Sequence, residues 1–206
     1  MILDKETFSR RKPGIMFEDK YSQYSVFLPI ISMNGRKYLL LEKRSPKLRR
    51  QPGEICFPGG KIEAGETNQE CAIRETMEEL LVAEEQVQIW GPLDLYISPF
   101  RLMIHPFVGE LNHYQDTFSK DEVEEIIKVP LDYLQNFEPR QYESKLITKP
   151  PDEFPYEWIP GGDQYPWGKG SYDILFYIYE DWVIWGMTAQ ILKSGLERME
   201  EYHLIR

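Results

Sequence analysis

The pattern of hydrophobic and polar residues is that of a chain with many short strands. Residues 24–31 and 37–41 are apolar runs of strand length, and Asn34-Gly35 lies between them. This dipeptide tolerates positive φ at both central positions of a tight turn, so the two runs are predicted to form a β-hairpin. Further strands are predicted at residues 54–57, 87–90, 93–97, 104–111, 174–179 and 182–185.

Helical periodicity is clearest over residues 67–82. Thr67 followed three residues later by Glu70 forms a capping-box signature, which predicts that this helix begins just after a glycine-rich loop. The apolar stripe of the helix is formed by Ile73, Met77, Leu80 and Leu81. Other helices are predicted after Pro130 and over residues 187–202. The mixture predicts an α/β fold with a mainly antiparallel sheet flanked by helices.

The length is that of a single globular domain spanning residues 1–206. A chain of this size can bury on the order of 70% of its unfolded surface, so it needs no second domain to hold a core. Cys56 and Cys71 are the only cysteines. No disulfide framework is available, and this usage suits a reducing compartment, so a cytoplasmic location is expected.

The composition shifts most strongly at residues 149–170, which are dense in proline, glycine and aromatic residues. We predict a long ordered loop there, because its aromatic side chains would be costly to leave in water. Those side chains are Tyr156, Trp158, Tyr165 and Trp167. They suit a cap over a binding site, an anchor for the loop, or a contact in a homodimer, and the sequence leaves these three roles open.

Charge and the length of the apolar runs each argue against one class of function. Lys and Arg number 24 against 34 Asp and Glu, for a net charge of −10. Binding a nucleic-acid duplex requires a basic face, so that role is not expected. The longest apolar run, at residues 26–31, is far shorter than the roughly 20 residues of a membrane span, so no membrane segment is expected. An acidic protein that handles phosphates must recruit a metal or concentrate its few cations locally.

Three carboxylates share one face of the predicted helix at 67–82. Glu75, Glu78 and Glu79 are spaced i, i+3 and i+4, so they repel one another unless a cation lies between them. Hard oxygen ligands favour Mg²⁺ or Mn²⁺. The alternative is that these residues are simply the solvated face of an amphipathic helix.

The surrounding residues argue against that alternative. Residues 60–82 read GKIEAGETNQECAIRETMEELLV. This spacing resembles the Nudix box at every charged position, with two departures, Thr76 at a position that is usually aliphatic and Leu81 where the family has glycine. The resemblance implies a Nudix hydrolase with an α/β/α sandwich, divalent-metal dependence, and water attack on a diphosphate linked to another group.

The resemblance also implies roles for individual residues. Metal would be held by Glu75, Glu78 and Glu79, with the Gly60 carbonyl as a further candidate ligand. Arg74 would pair with Glu66 to fix the loop against the helix, although an ordinary surface pair is the competing interpretation. Beyond the box, Glu122 is the candidate for an extra metal ligand or base, with Glu124 and Glu125 equally available.

A second resemblance is more restrictive. Arg44-Ser45, Arg49, Gly53 and the segment 57–60 follow the spacing of the coenzyme A diphosphatase branch of the Nudix hydrolases. The departures are Glu42, where that branch commonly has threonine, and Gln51, where histidine is frequent. The resemblance implies that the substrate is bound by Arg44, Ser45, Arg49 and Gly59.

A basic block at residues 43–50 agrees with an anionic ligand, since it places five cations in eight residues of an acidic chain. Coenzyme A carries a diphosphate and a 3′-phosphate, and arginine binds phosphate oxygens bidentately. The alternative is a solubilising loop. The function expected is cleavage of coenzyme A or a derivative to 3′,5′-ADP and 4′-phosphopantetheine. The alternatives are a Nudix hydrolase of another nucleoside diphosphate such as ADP-ribose, and a module that senses a nucleotide without cleaving it.

Overall fold

A computed structural model describes residues 5–205, apart from the side chain of Thr7. The helices are α1 (Lys5–Ser9), α2 (Asn68–Leu80), α3 (Leu131–Asn136) and α4 (Gly186–Glu201). The strands are β1 (Ser22–Met33), β2 (Arg36–Arg44), β3 (Ile55–Cys56), β4 (Gly59–Lys61), β5 (Val87–Pro92), β6 (Tyr96–Ile97), β7 (Leu102–Leu111), β8 (Val123–Pro130), β9 (Arg140–Ile147), β10 (Lys169–Tyr179) and β11 (Trp182–Trp185).

The predicted hairpin is confirmed as β1 and β2. Asn34 and Gly35 both have positive φ, 51° and 75°, as a two-residue hairpin turn requires. β1 and β2 pair antiparallel on the two sides of this turn, with Met33 opposite Arg36. The hairpin forms the centre of the larger sheet.

The larger sheet is mixed and mainly antiparallel, as predicted. Its strand order is β3-β2-β1-β7-β5, with β4 paired to β1, β6 to β7 and β8 to β2. Strands β1 and β7 run parallel, while the other recorded pairs in this sheet are antiparallel. β3 therefore lies beside β2, and β4 lies beside β1 and contacts α2.

Helices cover both faces of β1, which confirms the layered α/β arrangement. On one face, Phe27 packs with Ala72 of α2. On the other, Leu28 packs in the same cluster as Leu192 and Leu196 of α4. Adjacent strand residues point to opposite faces, so the continuous apolar run of β1 is explained by burial on both sides.

One strand assignment from the sequence is corrected and one strand was not predicted. Residues 93–97 form a strand only at Tyr96–Ile97. The acidic run at 121–125 leads into β8, which begins at Val123 and pairs with β2 along its length. The consecutive Glu124 and Glu125 break the polar-apolar alternation, so the strand was not evident locally.

The predicted long loop joins β9 and β10 within a separate three-stranded sheet of order β11-β10-β9. Phe154, Tyr156, Tyr165 and Trp167 pack edge to face in it, with ring centroids 5.0 to 5.4 Å apart. Trp158 is 80% exposed, so of the three roles left open for these side chains, anchoring the loop does not suit this residue. Within residues 5–205, no helix is long and apolar enough to cross a membrane.

Candidate active site

The start and end of α2 are set by local interactions. The Thr67 hydroxyl accepts from the Glu70 N–H at 3.2 Å, and the Glu70 carboxylate accepts from the Thr67 N–H at 2.7 Å, which confirms the capping box. At the other end, Leu81 takes the left-handed conformation, φ 52° and ψ 49°. A leucine there costs roughly 1 to 2 kcal/mol more than a glycine, yet the helix still ends where the Nudix box has its glycine.

The glycines of β4 allow α2 to approach the sheet closely. A Cβ added at Gly60 would lie 2.2 Å from the carboxyl group of Glu75, and one added at Gly59 would lie 2.3 Å from the Ser25 carbonyl oxygen. A side chain at Gly59 would clash with the backbone of β1, and a side chain at Gly60 would displace the Glu75 carboxylate. The main chain of β4 is therefore in direct contact with the carboxylates of α2.

Glu79 is the most buried of the three α2 carboxylates. Its side chain accepts a hydrogen bond from the Gly59 N–H at 2.8 Å, and the residue is 3% exposed. Burial raises the pKa of Glu79 well above its usual range, and the charge of Glu42 raises it further. The interpretation of this face as solvated is wrong for Glu79, whereas Glu78 is exposed.

Arg74 forms the predicted pair with Glu66. Its Nε and Nη2 atoms donate to the two Glu66 carboxylate oxygens at 3.1 and 3.0 Å. This guanidinium, helped by the Glu63 N–H, lowers the pKa of Glu66 to about 2. The pair ties the loop before α2 to the helix.

The same guanidinium also reaches the carboxylate face. Arg74 Nη1 donates to Glu75 at 2.8 Å and to Glu78 at 3.4 Å. The sequence did not indicate these contacts. Within residues 5–205, no three His, Cys, Asp or Glu side chains are grouped so as to hold a metal ion as they stand. A cation would have to draw Glu75 and Glu78 away from Arg74.

The donor chemistry nevertheless fits a hard divalent cation. Carboxylate oxygens of α2 lie against the main chain of Gly60, so side-chain and carbonyl oxygens can converge without bulk between them. Glu79 has no salt-bridge partner among the residues that the structure describes. A buried carboxylate without a counterion favours a cation beside it.

A cleft of about 710 Å³ opens over this face. Its charged and polar lining includes Tyr24, Arg44, Arg50, Gln51, Glu54, Lys61, Glu75, Glu79, Glu122 and Thr188. Its apolar lining includes Val26, Ile55, Phe57, Leu102, Ile104, Met187 and Ile191. The cleft thus offers carboxylates, cations and an apolar wall to one ligand.

The residues singled out from the sequence divide into two groups. Those that line the cleft are Arg44, Gly59, Gly60, Glu75, Glu79 and Glu122; Ser45, Arg49, Glu66, Arg74 and Glu78 are not among its lining residues. Ser45 is buried, and its N–H donates to the Glu122 carbonyl at 2.8 Å. Arg49 is exposed and does not line the cleft, so its position gives no support to the role expected for it.

Arg50 lines the cleft in place of Arg49, and its Nη1 lies 3.2 Å from the Tyr24 hydroxyl oxygen. The basic block included Arg50, but spacing did not distinguish it. Gly53 has φ +74°, and its N–H donates to the Arg44 carbonyl at 3.0 Å, which closes the loop that carries this block.

A family model described as the NUDIX domain matches residues 22–149. The chain belongs to the Nudix family. This confirms the resemblance seen in the box at residues 60–82, and it places α4, which contributes Met187 and Thr188 to the cleft, outside the matched region.

Three curated relatives carry names of coenzyme A diphosphatases. The mouse protein "Peroxisomal coenzyme A diphosphatase NUDT7" is 38% identical over 135 residues, 65% of this chain and 56% of the relative. The Caenorhabditis elegans "Peroxisomal coenzyme A diphosphatase ndx-8" is 39% identical over 133 residues, 62% and 54%. The human "Mitochondrial coenzyme A diphosphatase NUDT8" is 27% identical over 178 residues, 84% and 67%.

The chain spans about half the length of the first curated relatives it matches. The names of the relatives mention peroxisomes and mitochondria, so the expected cytoplasmic location stays a prediction. A MutT/nudix family protein from Enterococcus faecalis superposes with a TM-score of 0.53 at 13% identity, over 94% of this chain and 66% of that one. This likeness supports the fold alone.

Proposed function

We propose that the chain is a metal-dependent hydrolase that cleaves the diphosphate of coenzyme A or a derivative to 3′,5′-ADP and 4′-phosphopantetheine. The observation that carries this proposal is the meeting of the box carboxylates Glu75 and Glu79 with Arg44 in one cleft. The names of the relatives support coenzyme A as the substrate.

Glu75, Glu78 and Glu79, with the Gly60 carbonyl, would hold Mg²⁺ or Mn²⁺. When bound, such an ion neutralises diphosphate charge and acidifies a water molecule. The Gly59 N–H fixes the orientation of the Glu79 carboxylate through their 2.8 Å hydrogen bond. Arg74 holds Glu75 close to Gly60 and anchors the preceding loop through Glu66.

Glu122 is the residue to which we assign proton removal from the attacking water. It lines the cleft with Glu75 and Glu79, and its main-chain carbonyl is fixed by the Ser45 N–H. Glu124 pairs with Lys43 at 3.2 Å, which makes it the weaker candidate. In the reaction the water oxygen bonds to one phosphorus, the bond from that phosphorus to the bridging oxygen breaks, and the proton goes to the leaving phosphate.

The cations of the cleft would bind the phosphates. Arg44 is near the carboxylates: burial opposes its charged form, but Cys56 and the charges of Glu79 and Glu42 raise its pKa. Arg50 lines the same cleft with Lys61 and with Tyr24, whose hydroxyl oxygen is 3.2 Å from Arg50 Nη1. We assign the diphosphate to Arg44 and the 3′-phosphate to Arg50. The apolar wall that includes Met187 and Ile191 would receive the pantetheine arm.

The experiment that tests this proposal is a panel of diphosphates incubated with the full chain and Mg²⁺ or Mn²⁺, followed by mass analysis of the products. Coenzyme A should give the highest kcat/KM. A higher kcat/KM for ADP-ribose or a nucleotide sugar would favour a different Nudix hydrolase. Binding of a nucleotide with no cleavage of any diphosphate would favour the sensing module.

A further inference from the structure

Glu42 is a charged residue at a fully buried position. It lies in β2 directly after the buried residues Leu40 and Leu41, and its exposed fraction is 0%. One carboxylate oxygen is 3.5 Å from the Cys56 sulfur, and the other, Oε2, has no hydrogen-bond partner within the described part of the chain. An ionisable group at such a site is costly unless something compensates its charge.

The neighbours of Glu42 include two further carboxylates. Burial is the largest cause of the raised pKa at both Glu42 and Glu79. The charge of Glu42 raises the pKa of Glu79 further, and the charge of Glu122 does the same for Glu42. The carboxyl groups of Glu42 and Glu79 are within hydrogen-bonding reach of each other, and this contact lowers the pKa of Glu42. The unpartnered oxygen of Glu42 therefore belongs to a buried carboxyl group next to Glu79, the most buried of the three α2 carboxylates.

The charge of Arg44 opposes the burial that raises the pKa of Glu42. The Nε atom of Arg44 is itself buried without a hydrogen-bond partner. Over residues 5–205, the recorded salt bridges include neither Arg44 nor Glu42. The charge of Glu42 is therefore not paired with Arg44 in a salt bridge.

We propose that Glu42 is an additional carboxylate of the divalent-cation site, acting beside Glu79. This inference rests on the proposed function, because it takes the α2 carboxylates as the metal site. The chain carries glutamate where the coenzyme A diphosphatase branch commonly has threonine, so the added charge gives this chain a higher affinity for divalent cations than threonine would.

The test is a Mn²⁺ titration of the full chain, followed by electron paramagnetic resonance of free Mn²⁺. Glu42→Gln keeps the shape and removes the charge, and it should weaken the binding of Mn²⁺ at least tenfold. Glu42→Thr should weaken it similarly. The matched control is Glu54→Gln, since Glu54 lines the same cleft but already accepts a hydrogen bond from Gln51 at 2.9 Å. Its affinity should stay within twofold of the wild type.

A second readout separates a cation ligand from a buried carboxyl that serves only the fold. Glu42→Gln should raise the Tm of the metal-free protein, because it removes repulsion with Glu79. It should also reduce the increase in Tm that Mn²⁺ produces. A group that serves only the fold would lower the metal-free Tm and leave the Mn²⁺-induced shift unchanged.

The outcomes are distinguishable. Unchanged Mn²⁺ affinity in Glu42→Gln, together with a large loss in Glu79→Gln, would overturn the role of Glu42 and leave the proposed function standing. Unchanged affinity in both, or no Mn²⁺ binding by the wild type, would overturn both. If neither Glu42→Gln nor Glu42→Thr folds with or without Mn²⁺, the carboxylate is required by the fold itself and the inference fails.

Discussion

Arg74 Nη1 lies 2.8 Å from Glu75 Oε1, while the rest of the same guanidinium is forked onto Glu66. One side chain therefore joins the loop before α2 to the carboxylate face of the helix. Because the Glu66 fork uses Nε and Nη2, it can persist when a cation draws Glu75 away from Nη1. Arg74 would therefore hold the loop in place through Glu66 if a metal ion took Glu75 as a ligand.

The contribution of Glu66 to stability should depend on pH. Its pKa is lowered to about 2 in the folded protein, chiefly by the hydrogen bond from Arg74. A carboxyl with a depressed pKa stabilises the fold above its unfolded pKa of about 4.3, and this stabilisation disappears as the pH falls towards 2. The difference in Tm between wild type and Glu66→Gln should shrink over that interval. A difference that stays constant from pH 6 to pH 2.5 would contradict the assignment.

Glu79→Gln should remove nearly all turnover. Loss of a metal ligand is expected to cost about 3 kcal/mol or more in transition-state stabilisation, or at least about a hundredfold in kcat/KM. The variant should remain folded, because the amide has almost the same volume and the buried charge is gone. Circular dichroism and Tm check the fold. The control is Glu85→Gln, an exposed position beyond α2. Activity of Glu79→Gln within threefold of the control would refute the metal-site assignment.

Arg50 and Arg49 form a matched pair of variants within the basic block. Arg50 lines the cleft and Arg49 does not, so Arg50→Ala should lower kcat/KM for coenzyme A roughly ten- to hundredfold, from about 1.5 to 3 kcal/mol for a charge-assisted contact. Its effect on dephospho-coenzyme A should be much smaller, because that compound lacks the 3′-phosphate. Arg49→Ala should have little effect on either. A larger loss of kcat/KM for coenzyme A in Arg49→Ala than in Arg50→Ala would contradict this assignment.

The aromatic side chains of the long loop should contribute unequally to the stability of the protein. Trp167 packs on Phe154 and Tyr165 at 5.4 and 5.1 Å between ring centroids, whereas Trp158 is 80% exposed. Trp167→Ala should lower the free energy of unfolding by about 1 to 2 kcal/mol, and Trp158→Ala by less than about 0.5 kcal/mol. Denaturant unfolding measures both. Equal values, with rapid proteolysis throughout 149–170 in the wild type, would indicate a disordered insertion.

The local features of the fold were predictable from the sequence. The hairpin follows from Asn34-Gly35, and the start of α2 follows from Thr67 and Glu70, because these signals act within a few residues. β4 was not predicted, since it is only three residues long and is defined by pairing with β1, far away in the chain. β9 has eight residues and was also missed, since it is defined by its pairing with β10 across the long loop.

The chemistry of the candidate site was predictable as a set of residues and less so as a geometry. Spacing identified Glu79 but could not show that β4 buries it, because that burial depends on Gly59 and Gly60 meeting α2. Glu42 was noticed only as a departure from a motif. A glutamate directly after an apolar strand run was the available signal that a charge would be buried.

The most direct test of the central claim is the mass of the products that the full chain forms from coenzyme A in ¹⁸O-labelled water with Mg²⁺ or Mn²⁺. The account predicts 3′,5′-ADP and 4′-phosphopantetheine, with one ¹⁸O atom in one of the two, and no products when a chelator removes the metal. Intact coenzyme A alongside cleavage of another diphosphate, or release of inorganic phosphate with dephospho-coenzyme A, would contradict it.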